Sequence, residues 1–382
     1  MLYKVSPPGD SFVASLSRGW QKILGYIVIL VFVNSFFLVP TMGVSIVVTL
    51  YYYPSVPFYL IVLNTVLLIV TSISYLLKPK EWKVFRDVGQ SLYELLSFHH
   101  NLSDEEIKTI TKMGEKNRLI MAMHPHGVIP IHALLWASYC NQYFPQLFGF
   151  GAVADIVTYL PVIRNLLGYL NTGSATFGFL FNGIVQKKKN LYILPGSLTH
   201  PLTHSLTLSL THSLTHSLTH SLSHSLTHSL THLPTHSGGI AEIYESSVGS
   251  NHVIFNNRRG LIKLSLQTGA LLIPTYMFGA NDFFYNYTKG ADGIISRVSR
   301  YLRVSLVLFG GYLGLPFFPF IPTKVTLVVG KPIEISKIYA KGEVIPTDVI
   351  EGLHNQYLQE IQRIYDKYKV EAGYPESHLE IS

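Results

Sequence analysis

Two histidines stand together at His124-Pro125-His126-Gly127, directly after the apolar run Leu119 to Met123. The run reads as a strand, and proline with glycine forces a turn at its carboxyl end, the usual place for sites in open α/β sheets. Imidazole is the side chain whose ordinary pKa suits general-base work near neutrality. Transfer of an acyl group to an alcohol needs such a base to take up the hydroxyl proton. The same pair also fits a hydrogen-bonded turn or two metal ligands, so residue types alone leave three readings open.

The elements that must position this turn are read from composition and pattern. Of 382 residues only 13% are charged while 48% are apolar, which argues against an ordinary cytosolic protein. The 24 Tyr and 21 Phe supply ample surface to bury, so disorder over most of the chain is excluded. A single cysteine, Cys140, rules out a disulfide-stapled scaffold and a cysteine-rich metal domain, and suits a reducing compartment. The net charge of +7 suits an anionic membrane surface or a polyanionic ligand such as a nucleotide-bearing cofactor. Beyond residue 78, strand-like runs alternate with helical ones, predicting an α/β domain with a mainly parallel sheet.

From Ile23 to Leu77 there is no Asp, Glu, Lys or Arg. A single helix of that length would run roughly 80 Å, against about 30 Å for a bilayer core. The stretch therefore predicts a two-limbed transmembrane hairpin over 23–77, turned near Pro54 and Pro57, with Pro40 kinking the first limb. It is too long for a cleaved signal peptide. A buried helical hairpin in a soluble domain is the alternative. Lys4, Arg18 and Lys22 precede the run and Lys78, Lys80, Lys83 and Arg86 follow it, so the positive-inside rule places both ends in the cytosol. Residues 1–22 then form a cytosolic N-terminal segment and 78–382 a cytosolic domain.

Between 197 and 237 the chain repeats Ser-Leu-Thr-His, with histidine at 200, 204, 212, 216, 220, 224, 228, 232 and 236. A TCAC tetranucleotide repeat read in triplets encodes this period, so the tract reads as a disordered, accidental low-complexity insertion. Histidines four apart could chelate a metal on one helix face. Pro201 and Pro234, and the absence of a carboxylate within the tract, argue against that reading and for no metal site.

The histidine motif, its place after the apolar stretch and the blocks that follow resemble the diacylglycerol acyltransferase type 2 family, which includes monoacylglycerol and wax-alcohol O-acyltransferases. Tyr143-Phe144-Pro145, Leu160 to Arg164 with Gly173, Gly238 to Glu242, and Asn257 to Lys263 resemble successive family blocks. So do Ile273-Pro274 with Phe278-Gly279, Leu315-Pro316-Phe317, and Val329 to Ile333. Their order is colinear across roughly 78–335. A phospholipid-type acceptor is disfavoured, because Ile129 and Ile131 stand where those enzymes carry an Asp after the histidine. Leu261 and Ala280 also depart from the family pattern.

The resemblance implies a membrane-anchored enzyme moving a fatty acyl group from acyl-CoA to a neutral lipid hydroxyl, diacylglycerol before monoacylglycerol, a wax alcohol or a sterol. The base is His126 or His124, with His126 favoured and Glu242 orienting its imidazole. Alternatively Glu242 is a surface carboxylate. Backbone amides around Gly127 or Gly238-Gly239 are candidates to hold the oxyanion. Arg258, Arg259 and Lys263, at a helix start capped by Asn257, are candidates for the phosphates of coenzyme A or else solvate a helix face. Arg164 could pair with a carboxylate or with that co-substrate. No separate cofactor and no nucleic acid is expected, and a homo-oligomer is compatible with the pattern. The charge-free stretch from Val304 to Pro322 reads as core strand, with an acyl channel or an interfacial segment as alternatives. The C-terminal helical pattern through Ile350, Leu353, Ile361, Ile364 and Tyr365 reads as packing. The implied location is the endoplasmic reticulum membrane, multi-pass, and lipid droplets. The competing reading is a catalytically impaired relative, because the repeat splits Ile193-Leu194-Pro195-Gly196 from Gly239 to Glu242.

Overall fold

The computed structural model describes the chain except residues 54, 148, 196–237, 256–257, 289, 291–292 and 303–305. The repeat, Pro54, Asn257 and Val304 thus lie outside the described residues. Strand β1 (Tyr3–Lys4) and helix α1 (Phe12–Ser15) open the chain. The charge-free stretch then forms α2 (Arg18–Ser35), α3 (Leu38–Tyr51) and α4 (Phe58–Leu76). Among the described residues α4 is long and apolar enough to cross a bilayer alone, whereas α2 and α3 are so only together, bent by 55° at their junction. Pro40 sits in the first turn of α3, where a missing N–H removes no helical bond, and the bend falls just ahead of it. Helices α3 and α4 lie side by side, tied where the Asn64 amide donates to the Thr49 hydroxyl at 2.7 Å.

Helix α2 differs from the free limb expected of a hairpin. Its Ile29, Phe32 and Val33 are buried in the domain core. Gly25 runs so close to the Ser91 carbonyl that a Cβ there would come within 2.9 Å. The first apolar helix is therefore docked on the domain rather than standing clear of it.

The domain continues with α5 (Lys83–Val88), α6 (Ser91–Leu95), β2 (His99–His100), α7 (Asp104–Lys116), β3 (Leu119–His124) and α8 (His132–Tyr143). Next come β4 (Phe150–Val153), α9 (Ile163–Tyr169), β5 (Thr172–Ser174), α10 (Phe177–Val185) and β6 (Leu191–Ile193). Beyond the repeat lie α11 (Gly238–Glu245), β7 (His252–Val253), α12 (Gly260–Thr268), β8 (Leu271–Phe278) and β9 (Tyr285–Asn286). The chain closes with α13 (Ile294–Leu302), β10 (Phe309–Gly310), β11 (Thr326–Val329), α14 (Thr347–Ala372) and β12 (Glu380–Ile381).

Eight strands form one sheet in the order β1-β2-β11-β8-β3-β6-β4-β5. The neighbours β8, β3, β6, β4 and β5 all pair in parallel, as the alternating pattern predicts, and β11 joins β8 antiparallel. Strand β3 is central and wholly buried, its register running from Leu119 opposite Leu271 to His124 opposite Tyr276. Side chains alternate across a strand. Accordingly Leu119, Met121 and Met123 enter the core that contains α2 and α8, while Ile120 and Ala122 enter the core beneath α14. The same alternation turns His124 toward α14.

Helix α14 buries Ile350, Leu353, Tyr357, Ile361, Ile364 and Tyr365 along one stripe and stops at Gly373, whose φ of 101° suits glycine. Each large side chain so buried contributes about 1.5–3 kcal/mol before entropy is counted. The stretch toward Pro322 corrects the core-strand expectation. Among the described residues of that stretch only Phe309–Gly310 pairs, with β9, and Leu308, Tyr312 and Leu313 are exposed.

Candidate active site

His124 closes β3 with none of its surface exposed. The hydroxyl of Tyr357 on α14 lies 2.9 Å from its Nε2 and 3.5 Å from the Ala122 carbonyl. The other ring nitrogen, Nδ1, faces Glu242 Oε1 at 3.5 Å. The Phe255 ring meets His124 edge-on at 5.5 Å and stacks on Tyr357 at 4.6 Å, closing the imidazole off from water.

Glu242 comes from α11 and is fully buried, with its second oxygen 3.8 Å from Arg258 Nη1. Burial alone would raise its pKa. The contact with His124 and the charge of Arg258 outweigh that, so the carboxyl is held below its ordinary value. Burial pulls the Arg258 guanidinium below its usual value, and Glu242 partly restores it. These separations are longer than formed hydrogen bonds. His124 Nδ1, both oxygens of Glu242 and Arg258 Nη1 are accordingly buried without a hydrogen-bond partner among the described residues. Such a cluster carries a desolvation penalty that an apolar core would not.

His126, two residues on, is half-buried. Its Nδ1 lies 2.9 Å from the Gly127 carbonyl, and a carbonyl can only accept, so Nδ1 carries the proton. Nε2 is left with a free lone pair and has no hydrogen-bond partner among the described residues. Burial pushes the pKa of His126 below its ordinary value, and Arg258 adds to that, while Gly127 and Glu242 oppose it. A ring of this kind stays neutral at physiological pH. Gly127 itself has φ of 73°, and a Cβ there would meet the Ala280 carbonyl at 3.2 Å and the His132 ring at 3.3 Å. That position needs glycine on both counts.

The sequence pairs Glu242 with His126; the structure instead brings Glu242 to His124, and the Gly127 carbonyl holds His126. Residues the sequence passed over also gather here. Tyr357 belongs to the helix read as packing alone, and it does pack, but its hydroxyl ends on His124. His132 at the start of α8 is buried with neither ring nitrogen at hydrogen-bond geometry to a partner among the described residues, and burial lowers its pKa to about 3, with His126 adding to the effect. The signal for Tyr357 was present only as an aromatic on a buried stripe; for His132 it was one more histidine near the motif.

The expected phosphate cluster is redistributed. Arg258 faces Glu242. Arg259 grips Glu351 with two bonds of 2.7 Å and also reaches His354 at 2.8 Å. Lys263 stays half-buried on α12, whose N-cap is Arg259. Arg164 is held elsewhere, donating to the Ser74 carbonyl at 3.0 Å and lying over the Tyr75 ring, in a cleft of about 770 Å³ with Lys80, Glu81 and Asp155. Gly238 and Gly239 open α11, where the first amides have no helical acceptor. No cluster of metal-ligating side chains occurs among the described residues.

An imidazole whose Nε2 has no partner among the described residues thus stands at the carboxyl edge of a central parallel strand in an α/β fold, backed by a buried charge cluster. Residues 163–382, more than half of the chain, match the family model described as diacylglycerol acyltransferase, and the chain belongs to that family. The matched segment contains Glu242, Arg258 and Tyr357 and begins after the histidine turn. Among similar proteins, diacylglycerol O-acyltransferase 2 of Danio rerio is 35% identical over 150 residues, covering 37% of this chain and 40% of its own length. The Homo sapiens protein of the same name is 31% identical over 150 residues, covering 37% and 38%. Diacylglycerol O-acyltransferase 2-like protein 6 of Bos taurus is 23% identical over 283 residues, covering 69% and 70%. The chain thus spans about 40% of the length of the first two relatives.

Proposed function

We propose that the chain transfers a fatty acyl group from acyl-CoA to the hydroxyl of diacylglycerol, giving triacylglycerol. The observation that carries this reading is the half-buried His126, its Nδ1 proton engaged by the Gly127 carbonyl and its Nε2 lone pair free. Nε2 takes the acceptor's proton as the acceptor oxygen attacks the thioester carbonyl. The new C–O bond forms, the C–S bond breaks, and the proton passes to the departing thiolate of coenzyme A. Developing negative charge on the carbonyl oxygen is met by backbone amides, those around Gly127 or the first amides of α11 at Gly238-Gly239. His124, Glu242 and Arg258 act behind the turn as its buried electrostatic support, and no separate cofactor takes part. Lys263 is the residue of the sequence-derived trio left to meet a phosphate of coenzyme A.

The apolar helices α3 and α4 anchor the protein in the endoplasmic reticulum membrane, with both chain ends and the domain 78–382 cytosolic, and allow passage to lipid droplets. The tract 197–237 is an insertion in the chain between β6 and α11. Closing a long loop costs free energy that grows only logarithmically with its length, so the fold tolerates it.

The test is acyl transfer from labelled oleoyl-CoA to diolein in microsomes carrying the full chain, beside a form lacking 197–237. Triacylglycerol from both supports the reading and a tolerated insertion. Product from the shortened form alone keeps the chemistry and makes the insertion inhibitory. Failure of both against diolein, monoolein and a long-chain alcohol overturns the enzyme reading in favour of a catalytically impaired relative.

A further inference from the structure

Helix α13 is built inside out. Ser296 and Ser299 face the protein with no exposed surface, whereas Ile294 is 81% and Val298 43% exposed. The inward face is satisfied as a polar interior requires, with Ser299 taking the Leu306 amide at 2.9 Å and Tyr244 of α11 donating to the Leu306 carbonyl at 2.7 Å. A helix in water places its apolar stripe toward the core. This one presents it outward, and the chain that follows extends the same surface with Leu308, Tyr312 and Leu313, 60%, 62% and 80% exposed. From residue 306 to residue 322 there is no charged side chain.

Two contacts show which way this surface faces. The Asn34 amide at the end of α2 donates to the Phe317 carbonyl at 3.2 Å. At the bend between α2 and α3, Phe37 packs on Phe317 with ring centres 4.9 Å apart. The segment 306–318 therefore reaches the apolar helices at the bend between α2 and α3. Arg297, Arg300 and Arg303 interrupt the α13 region with positive charge and no carboxylate lies among them. Apolar side chains flanked by arginines are what an anionic lipid surface takes up.

We infer that α13 and the segment 306–318 form a second membrane contact, lying in the headgroup and upper acyl layer without spanning it. This rests on the membrane anchoring proposed above. Its consequence is positional. Helix α13 packs on α11, the helix that carries Glu242, so the lipid surface lies against the back of the site.

The test uses the full chain in nanodiscs of phosphatidylcholine and phosphatidylserine, with a nitroxide on one introduced cysteine at a time. Cys140 is buried and does not compete for label. V298C and L313C report the inferred contact, V66C on α4 reports the anchor, and V344C, at a valine 88% exposed in the loop before α14, reports water. Collision with oxygen and with a water-soluble nickel chelate is measured at each site. The expected result is nickel access at 298 and 313 lower than at 344 by about fivefold or more, with oxygen access raised toward that at 66. Nickel access at 298 and 313 equal to that at 344, with 66 still in lipid, overturns the second contact and leaves the anchor standing. Water access at 66 as well overturns the anchoring itself. Protection of 298 and 313 from both reagents means protein covers the surface, which also overturns the inference.

Discussion

His124 and His126 stand two residues apart and occupy opposite worlds. Behind the turn, His124 is locked between Tyr357 and a buried carboxylate that is itself faced by a buried guanidinium. In front of it, His126 meets only a backbone carbonyl and keeps one nitrogen free. The contrast teaches that a pair of like residues in one motif can divide support from chemistry, because burial fixes what each ring can exchange with water. A ring with both nitrogens facing buried partners holds geometry, and a ring with one open nitrogen can take up a proton.

The sharpest way to break this division is His126→Ala. Acyl transfer should fall by about 10³-fold, within the range for losing a general base, with the thermal midpoint nearly unchanged. If His126→Ala keeps its rate while His124→Ala abolishes it without unfolding, the roles are reversed. Behind the turn the expected loss is in stability. Glu242→Ala leaves Arg258 buried without a counter-charge and should destabilise the domain by about 3–5 kcal/mol, read as a lowered midpoint in detergent. Combining it with Arg258→Met should recover much of that loss; a double variant as unstable as the single one would show that the two charges do not support each other.

Acid separates the buried rings from the solvent-facing ones. His132 ionises in the unfolded chain near pH 6.5 but in the folded chain only near 3. Between those values the unfolded state binds a proton that the folded state refuses. Stability should therefore decline as pH falls through that window, by up to about 1.4 kcal/mol per unit from this residue. His132→Leu should flatten the acid slope of chemical denaturation; an unchanged slope would remove His132 from the account. If His126 is the base as proposed, activity should persist somewhat below pH 6.5, because its pKa is shifted downward and the ring stays neutral there. The smallest expected effect is from Tyr357→Phe, which removes one hydrogen bond to His124 and should cost about 1 kcal/mol of stability. A rate loss as large as that of His126→Ala would move Tyr357 from support into the chemistry.

Much of this was legible before any coordinates. The strand Leu119–His124 and its turn follow from an apolar run ending in proline and glycine, and the parallel sheet from strand-like runs alternating with helical ones. The docked α2 was hidden, since a charge-free helix reads alike whether lipid or protein surrounds it; the burial of Ile29, Phe32 and Val33 in the core and Gly25 against Ser91 tell them apart. Arg258 and Arg259 are neighbours in sequence and diverge in space to Glu242 and Glu351, which no linear pattern indicates.

By itself the sequence determined the local elements: apolar periodicity fixes strands and helices, and alternation along β3 sends His124 to the face of Ile120 and Ala122. Tertiary structure alone decided the partners. Tyr357 stands four residues from Leu353 and from Ile361, so its spacing says only that it is buried. That its hydroxyl lands on His124 depends on where a helix more than two hundred residues away crosses the sheet, and on α11 returning Glu242 to the same strand end. Spacing along a chain sets direction within one element, and distance between elements is set by packing.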